Sequence, residues 1–373
     1  MTAQSIPPRA RIALRPVTVR HSTVRHIANA LCALGVCATV ARAQSDRTVL
    51  RGSTVALYNI VGRMTVESGS GSDVVVEVTR RGRDANRLRI ESSEINGRPT
   101  LRVIYPDDEI VYTDARESWD RTEMRVSADG TWGNGRGRWN DGRRVRISSR
   151  GRGTAAWADI RVTVPAGKNF SAYVGVGELT ATGVNGTTSL DNSTGKVTAT
   201  GMRGSLTIDV GSGGADVRDI DVDRLSIDAG SGGVRLTDVT ATSCSIDSGS
   251  GGVNGDHALC KDFSIDAGSG GVRLLDVRAT KLRVDAGSGS VQLTMRDSPN
   301  DVQIESGSGG VTLGLPATLS ARVEIDAGSG GVESDFPLRA DRVERHHLRG
   351  TIGDGKGRIR IETGSGPVRL RRN

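Results

Sequence analysis

Phe, Tyr and Trp together make up only 3% of the 373 residues. So few large rings cannot fill the interior of an ordinary globular domain of this length. Cysteine is also scarce, at four, and histidine numbers five, which leaves little material for a Cys/His metal cluster. Long apolar runs are nearly absent. The one candidate, Ile27–Val40, is 14 residues long, short of the roughly 20 that a membrane-spanning helix needs. What the chain has instead is glycine, 50 residues of it, well above the usual share of about 7%. Charged residues stand at 25%, so this is no uncharged low-complexity tract.

The formal charge of +7 is concentrated at one end. Residues 1–43 hold Arg9, Arg11, Arg15, Arg20, Arg25 and Arg42 and no acid, leaving 44 basic against 43 acidic residues in the remainder. A near-neutral remainder gives no electrostatic footprint for nucleic acid. Arginines, then the apolar run, then Ala41-Arg42-Ala43 form the pattern of an export signal. The reading is a signal peptide over 1–43 and an exported mature chain with no membrane-spanning helix. The competing reading is a buried N-terminal helix. A lipoprotein signal fits less well, because Val36 precedes Cys37 where a small residue is needed. Cys32 and Cys37 leave with the signal, so Cys244 and Cys260 remain.

The decapeptide IDAGSGGVRL occupies residues 227–236 and recurs unchanged at 265–274. Looser copies place a glycine-rich corner near Gly175, Ser193, Gly211, Gly230, Gly249, Gly268, Gly287, Gly307, Gly328 and Gly364. A period near 19 that tolerates small changes is the mark of a solenoid. Within one copy, Leu225, Ile227 and Ala229 alternate with Ser226 and Asp228, which is a half-buried strand. The Gly-Ser-Gly-Gly corner follows, read as a turn in which glycine reaches positive φ. Val234 and Leu236 begin a second strand, and Asp238 and Thr240 mark a looser second corner.

A single copy buries about five small aliphatic side chains, worth roughly 1.5–3 kcal/mol each. Ordering it costs roughly 1–2 kcal/mol per residue in backbone entropy. Only stacking closes that gap. The expected fold is therefore all-β: a parallel β-solenoid of about ten rungs over residues 159–373, led by an N-terminal β module over 44–104. Two internal columns are expected. One runs Leu206, Leu225, Cys244, Phe263, Leu282, Val302, Val323, and the other Ile208, Ile227, Ile246, Ile265, Val284, Ile304, Ile325. The final stretch, with Pro367 and the terminal arginines, suits a capping rung whose edge refuses further pairing. Cys244 falls in a core column and Cys260 at a turn one copy later. They are not stacked equivalents, which favours two free thiols over a disulfide.

The repeated I-[DE]-x-G-S-G-G-V corners resemble a bacterial adhesin-type family of undefined function built from β-strand repeats. So do Val55-Ala-Leu-Tyr-Asn-Ile-Val-Gly62, Ile160-Arg-Val-Thr-Val-Pro165 and Gly350-Thr-Ile-Gly-Asp-Gly-Lys-Gly357. The GIN head domain of auto-transporter adhesins is a kindred family. The resemblance spans nearly all of the mature chain. It implies an exported, non-enzymatic β-solenoid and brings no functional residues with it.

Two stretches could carry chemistry. The first is an acid column, Asp191, Asp209, Asp228, Asp247, Asp266, Asp285, Glu305, Asp326 and Glu362, just before each glycine corner. Acids about 4.8 Å apart repel by about 0.9 kcal/mol per pair in water-like dielectric and about 3.5 at an effective constant of 20. The expected remedy is that each carboxylate accepts backbone N–H groups of its corner. The functional version is a cation ladder, for which Asp228, Asp247, Asp266 and Asp285 are the candidates. The acid precedes the glycines and the period is 19, unlike the nine-residue calcium repeat.

The second stretch is 105–158, which holds all four tryptophans. Residues 107–132 carry eight acids and three arginines, and residues 133–158 carry seven arginines and one acid. One reading is a hairpin or loop whose halves attract each other. The other is a surface that binds a polyanion or a sugar through stacking and charge, with Trp119, Trp132, Trp139, Arg136, Arg138, Arg143 and Arg144 as its candidates. Trp157 reads as packing at a strand start.

Catalysis finds little support. The mature chain has three histidines, His257, His346 and His347, and neighbours on a strand point to opposite faces. The acids recur evenly rather than gathering, whereas a β-helical lyase or glycosidase concentrates its acids in a few rungs. The sequence thus points to an exported non-enzymatic scaffold or binding protein, with no cofactor. Envelope polysaccharide or a surface protein is the expected partner, and nucleic acid is not. The alternatives are a carbohydrate-active enzyme and a self-assembling polymer.

Overall fold

The alternation of aliphatic and polar residues becomes a stack of parallel strands. A computed structural model of the chain describes residues 45–114, 120–133 and 142–373; the expected signal segment lies outside them. Ala215–Ala229, Val234–Ser248 and Val253–Ala267 are strands of 15 residues each. Each is bent at a second corner, where Asp219, Asp238 and His257 take left-handed φ of 52–59°, as Asp276 does at 53° in Val272–Arg278. Aspartate tolerates that conformation better than most residues. The Asp238 corner read from sequence is therefore present.

Leu206, Leu225, Cys244, Phe263, Leu282 and Val302 pair in one parallel column, and Ile208, Ile227, Ile246, Ile265, Val284 and Ile304 in another. All twelve are buried. Partners are 18 residues apart from Leu190 to Ile208, 19 from Ile208 onward, and 20 from Val284 to Ile304. The extra residue near the start is absorbed as a register shift between Gly204 and Ser205.

The glycine corner is held together for a reason other than the one the sequence suggested. Gly230, Gly232, Gly249 and Gly251 are not left-handed. What they lack room for is a side chain. A Cβ on Gly232 would sit 1.7 Å from the carbonyl oxygen of Gly213, and one on Gly251 would sit 2.1 Å from that of Gly232. The corner keeps the ladder running: Gly230 N–H donates to Val210 at 2.9 Å and Ser231 N–H to Gly211 at 2.9 Å. Backbones must touch for that, and only glycine lets them. Where the residue before the corner is Ser248, Ser306 or Thr363, its buried hydroxyl donates to the carbonyl of Gly251, Gly309 or Gly366.

The described part of the 44–104 module, residues 45–104, is built into the start of the coil. Thr54–Val61 pairs in parallel with Lys168–Val176, and Met64–Gly69 with both Trp157–Pro165 and Leu179–Thr182. Antiparallel pairings of Val74–Arg81 with Ser45–Leu50 and of Arg98–Ile104 with Arg89–Ile95 surround this start. Ala43–Asn373 forms one compact unit. The 105–158 segment, read as a loop or hairpin, contains an ordered sheet in which Arg143–Ser148 lies between Glu109–Val111 and Arg121–Val126.

Two expectations are overturned. The last segment in sequence is not the last floor in space. Gly357–Thr363 pairs with Asp301–Ser306 on one side and Ala321–Asp326 on the other, so Ile361 stands between Ile304 and Ile325. Val368–Arg372 likewise lies between Val311–Leu315 and Val332–Ser334. The open edge is instead covered by an antiparallel hairpin, His347–Ile352 against Ala321–Asp326 and Arg339–Val343 outermost. That outermost strand is exposed along its length and alternates charges, which discourages further pairing.

Cys244 and Cys260 form a disulfide, with Cα atoms 6.0 Å apart. Stacked equivalence is not required. Cys260 lies over Ala241, one bend away from Cys244 on the floor beneath, and all three side chains point inward. Their 16-residue separation corresponds to about 3 kcal/mol of loop-closure stabilisation.

Gly232→Ala is expected to destabilise by about 3 kcal/mol, the upper end of overpacking costs because backbone must move. Gly331→Ala, where a Cβ meets nothing within 4 Å, is expected to be neutral or slightly stabilising. Urea denaturation of the two variants checks this, and equal midpoints would refute the close-approach account. The double variant Cys244→Ala/Cys260→Ala should lose about 3 kcal/mol in the same measurement.

Candidate functional site

The acid column is real and continuous. Asp191, Asp209, Asp228, Asp247, Asp266, Asp285, Glu305, Glu362 and Asp326 are neighbours in that order. Only the last two differ from sequence order. The corner amides do not neutralise it as expected. Among the described residues of the column, Asp326 alone accepts a corner N–H, from Gly328 at 3.1 Å. Elsewhere those amides are already donating to the floor beneath, as Gly230, Ser231, Gly249 and Ser250 do. At Asp326 the corner has a different shape, since Gly328 there turns left-handed at φ 53°.

Repulsion along the ladder is relieved in three ways. Towards the C-terminal end, Glu305 receives Gln303 at 2.8 Å and Arg283 at 3.3 Å, and Glu362 receives Arg360 at 2.7 Å. In the middle, Asp228, Asp247 and Asp266 stand exposed, where water and salt screen them. At the N-terminal end the relief is proton uptake. Burial pushes the Asp191 carboxyl up to about 7, with the neighbouring Asp209 charge adding to it. Asp209 is also raised, by burial and then by Asp228.

The cover over Asp191 comes from the 105–158 segment. A Cβ on Gly133 would lie 2.9 Å from Asp191 Oδ2 and 3.5 Å from the Tyr173 ring. Tyr173 stacks on Tyr58 with centroids 4.2 Å apart, and Trp132 meets Tyr58 edge-on at 5.1 Å. Thr122 and Thr194 place their hydroxyls 3.4 Å apart. The segment is thus docked on the first floors of the coil.

This docking redistributes the residues singled out for binding. Trp132 is 8% exposed and belongs to the core, so it offers no face to a ligand. Arg143 binds Asp108 at 2.5 Å and the Tyr105 carbonyl at 2.9 Å, and Arg144 is 3.6 Å from Glu123. The acidic and basic halves of the segment therefore pair in part with each other. Trp119, Arg136, Arg138 and Trp139 lie outside the described residues. Trp157 packs edge-on against Tyr112 at 5.5 Å.

His257 Nδ1 lies 2.6 Å from Asp238 Oδ1, one floor along the second corner. The sequence pattern did not single out that pair; its signal was their separation of 19 residues, one repeat. His346 bonds the Gly330 carbonyl and His347 opens the capping strand. Among the described residues no group of three or more His, Cys, Asp or Glu side chains could hold a metal ion. The four cation-ladder candidates, Asp228, Asp247, Asp266 and Asp285, are one column without converging geometry. An open cavity of about 580 Å³ is lined by Asp285, Glu305, Asp326 and Glu362 with their corner residues. It is the C-terminal stretch of the same ladder. No described helix is long and apolar enough to cross a membrane.

These features define an all-β coil of stacked parallel ladders. A family model described as Toastrack DUF4097 matches residues 138–371, more than half of the chain, and the protein belongs to that family. No curated protein matches it. A solved structure of a candidate cell adhesion protein from Clostridium sporogenes is 11% identical, covering 89% of this chain and 100% of that one with a TM-score of 0.18. A score that low carries no argument about fold or function.

Asp191 holds its proton more tightly in the folded chain than in the unfolded one. That contribution is complete at low pH and is lost as pH rises from about 4, the unfolded value, through about 7. Asp191→Asn should remove the loss. Melting temperatures of the two proteins should converge near pH 4 and diverge towards pH 8, with the variant the more stable there. Parallel curves would show that Asp191 titrates normally.

Proposed function

We propose that the protein is an exported, non-enzymatic β-solenoid that serves at the cell envelope as an adhesin-like scaffold or binding protein. The carrying observation is the even distribution of its acids, one per floor along a single ladder. Hydrolases and lyases need an acid, a base or a metal gathered at one place. A periodic face instead suits a repeating polymer or an extended partner surface. The buried disulfide between Cys244 and Cys260 supports export, because such bonds persist in oxidising compartments. The signal pattern over residues 1–43 supports it from the sequence.

The binding surface of this reading is a flat face of the coil or the 105–158 segment, whose described residues Thr122, Trp132 and Gly133 meet the first floors. With Trp132 buried and Arg143 and Arg144 paired, the residues left to meet a partner are Trp119, Arg136, Arg138 and Trp139. The partner class is envelope polysaccharide or a surface protein. No cofactor is invoked.

The test is retention of envelope polysaccharide and surface proteins by the mature chain and by a variant carrying Trp119→Ala, Arg136→Ala, Arg138→Ala and Trp139→Ala. Stacking is worth about 1–3 kcal/mol per ring, so the variant should bind at least about tenfold more weakly. Equal retention by both would remove the segment from the reading. Release of shortened or unsaturated sugar products by the mature chain would replace the scaffold with an enzyme.

A further inference from the structure

The chain skips a floor and returns to fill it. The floor made of Asp301–Ser306 and Val311–Leu315 is followed in sequence by the floor made of Ala321–Asp326 and Val332–Ser334, yet the two are not neighbours. The strands Gly357–Thr363 and Val368–Arg372 lie between them, paired in parallel on both sides. The slot is thus two ladder spacings wide, about 9.6 Å. Until residues 357–372 arrive, the inner edges of Asp301–Ser306 and Val311–Leu315 are open.

The filling segment is held by features of the slot alone. Ile359, Ile361, Val368 and Leu370 are fully buried. Val311 N–H donates to the Pro367 carbonyl at 2.9 Å from one side, and Val368 N–H to the Gly331 carbonyl at 2.9 Å on the other. Arg358 forms a two-pronged bond to Asp301 at 3.0 Å. The segment reads I-E-T-G-S-G-P-V-R-L, the same pattern as Ile304-Glu-Ser-Gly-Ser-Gly-Gly-Val-Thr-Leu313 on the floor beside it. Its only tie to its own slot is the link Gly353–Lys356, which includes two left-handed glycines, Gly353 and Gly355. A segment from another molecule would make the same contacts; only the link would run differently.

We propose that this slot is an acceptor for the C-terminal strand pair of a second copy of the chain, so that the protein exchanges residues 357–372 between molecules. A short link gives the chain's own segment an effective concentration in the millimolar range, so dilute molecules close on themselves. Exchange occurs when chains fold close together, before the slot is filled. Mutual exchange yields a closed dimer and sequential exchange a filament.

The paired positions Asp301 and Arg358 provide the test. Full-length mature chains carrying Asp301→Cys or Arg358→Cys are mixed in denaturant with the native disulfide intact, refolded together and treated with a short bismaleimide. Crosslinked heterodimer is expected, its fraction rising several-fold with chain concentration during refolding. The double variant in one chain should crosslink internally, showing that the native pairing has formed. If it does not, Gln303→Cys and Arg360→Cys, the neighbouring pair, replace it. Deleting Asp354 and Gly355 should raise the heterodimer fraction further by hindering closure. A heterodimer yield no greater than that from two Asp301→Cys chains, at every concentration and with the shortened link, would overturn the proposal.

Discussion

In-register contact between successive backbones is the constraint on which the rest of this molecule depends. Each floor is too small to stabilise itself, and each gains its stability by sharing aliphatic columns and ladder hydrogen bonds with its neighbours. That contact leaves no room for a side chain at Gly230 and Gly232 or at Gly249 and Gly251 one floor on, which is why glycine recurs there. The requirement is steric and comes from the adjacent floor. The same repetition that packs Ile227 over Ile208 must also place Asp228 over Asp209. An outward residue that recurs in sequence becomes a column in space, whatever its charge.

The acid ladder shows how the fold meets that consequence. No single device neutralises it, because the corner amides are occupied by the ladder itself. Arginine and glutamine neighbours serve one end, solvent serves the middle, and proton uptake by Asp191 serves the buried end beneath Gly133. The carboxylate with the most perturbed ionisation is therefore the one that the 105–158 segment covers. This couples the docking of that segment to the charge state of the coil.

The ends of the stack are built differently from its middle. At the start, antiparallel strands from residues 45–104 surround the first floors. At the finish, a charged hairpin takes the exposed position and the C-terminal strands are drawn inside. Capping and closure are thus separate tasks given to separate segments.

Much of this was legible from residue order. The two inward columns as far as Val302 and Ile304, the Asp238 corner and the membership of the acid column all follow from local alternation and repetition. Both depend on neighbours along the chain, and sequence records those directly. The disulfide, the shielding of Asp191, the burial of Trp132 and the inward position of Ile361 were decided by tertiary structure. Each depends on a contact across a bend or between distant segments: Cys260 over Ala241, Gly133 on Asp191, Trp132 on Tyr58, Ile361 beside Ile304. Periodicity says which residues face inward, but a repeated motif fits any floor equally well. Only the links and the caps, whose paths no repeat encodes, determine which copy lies on which.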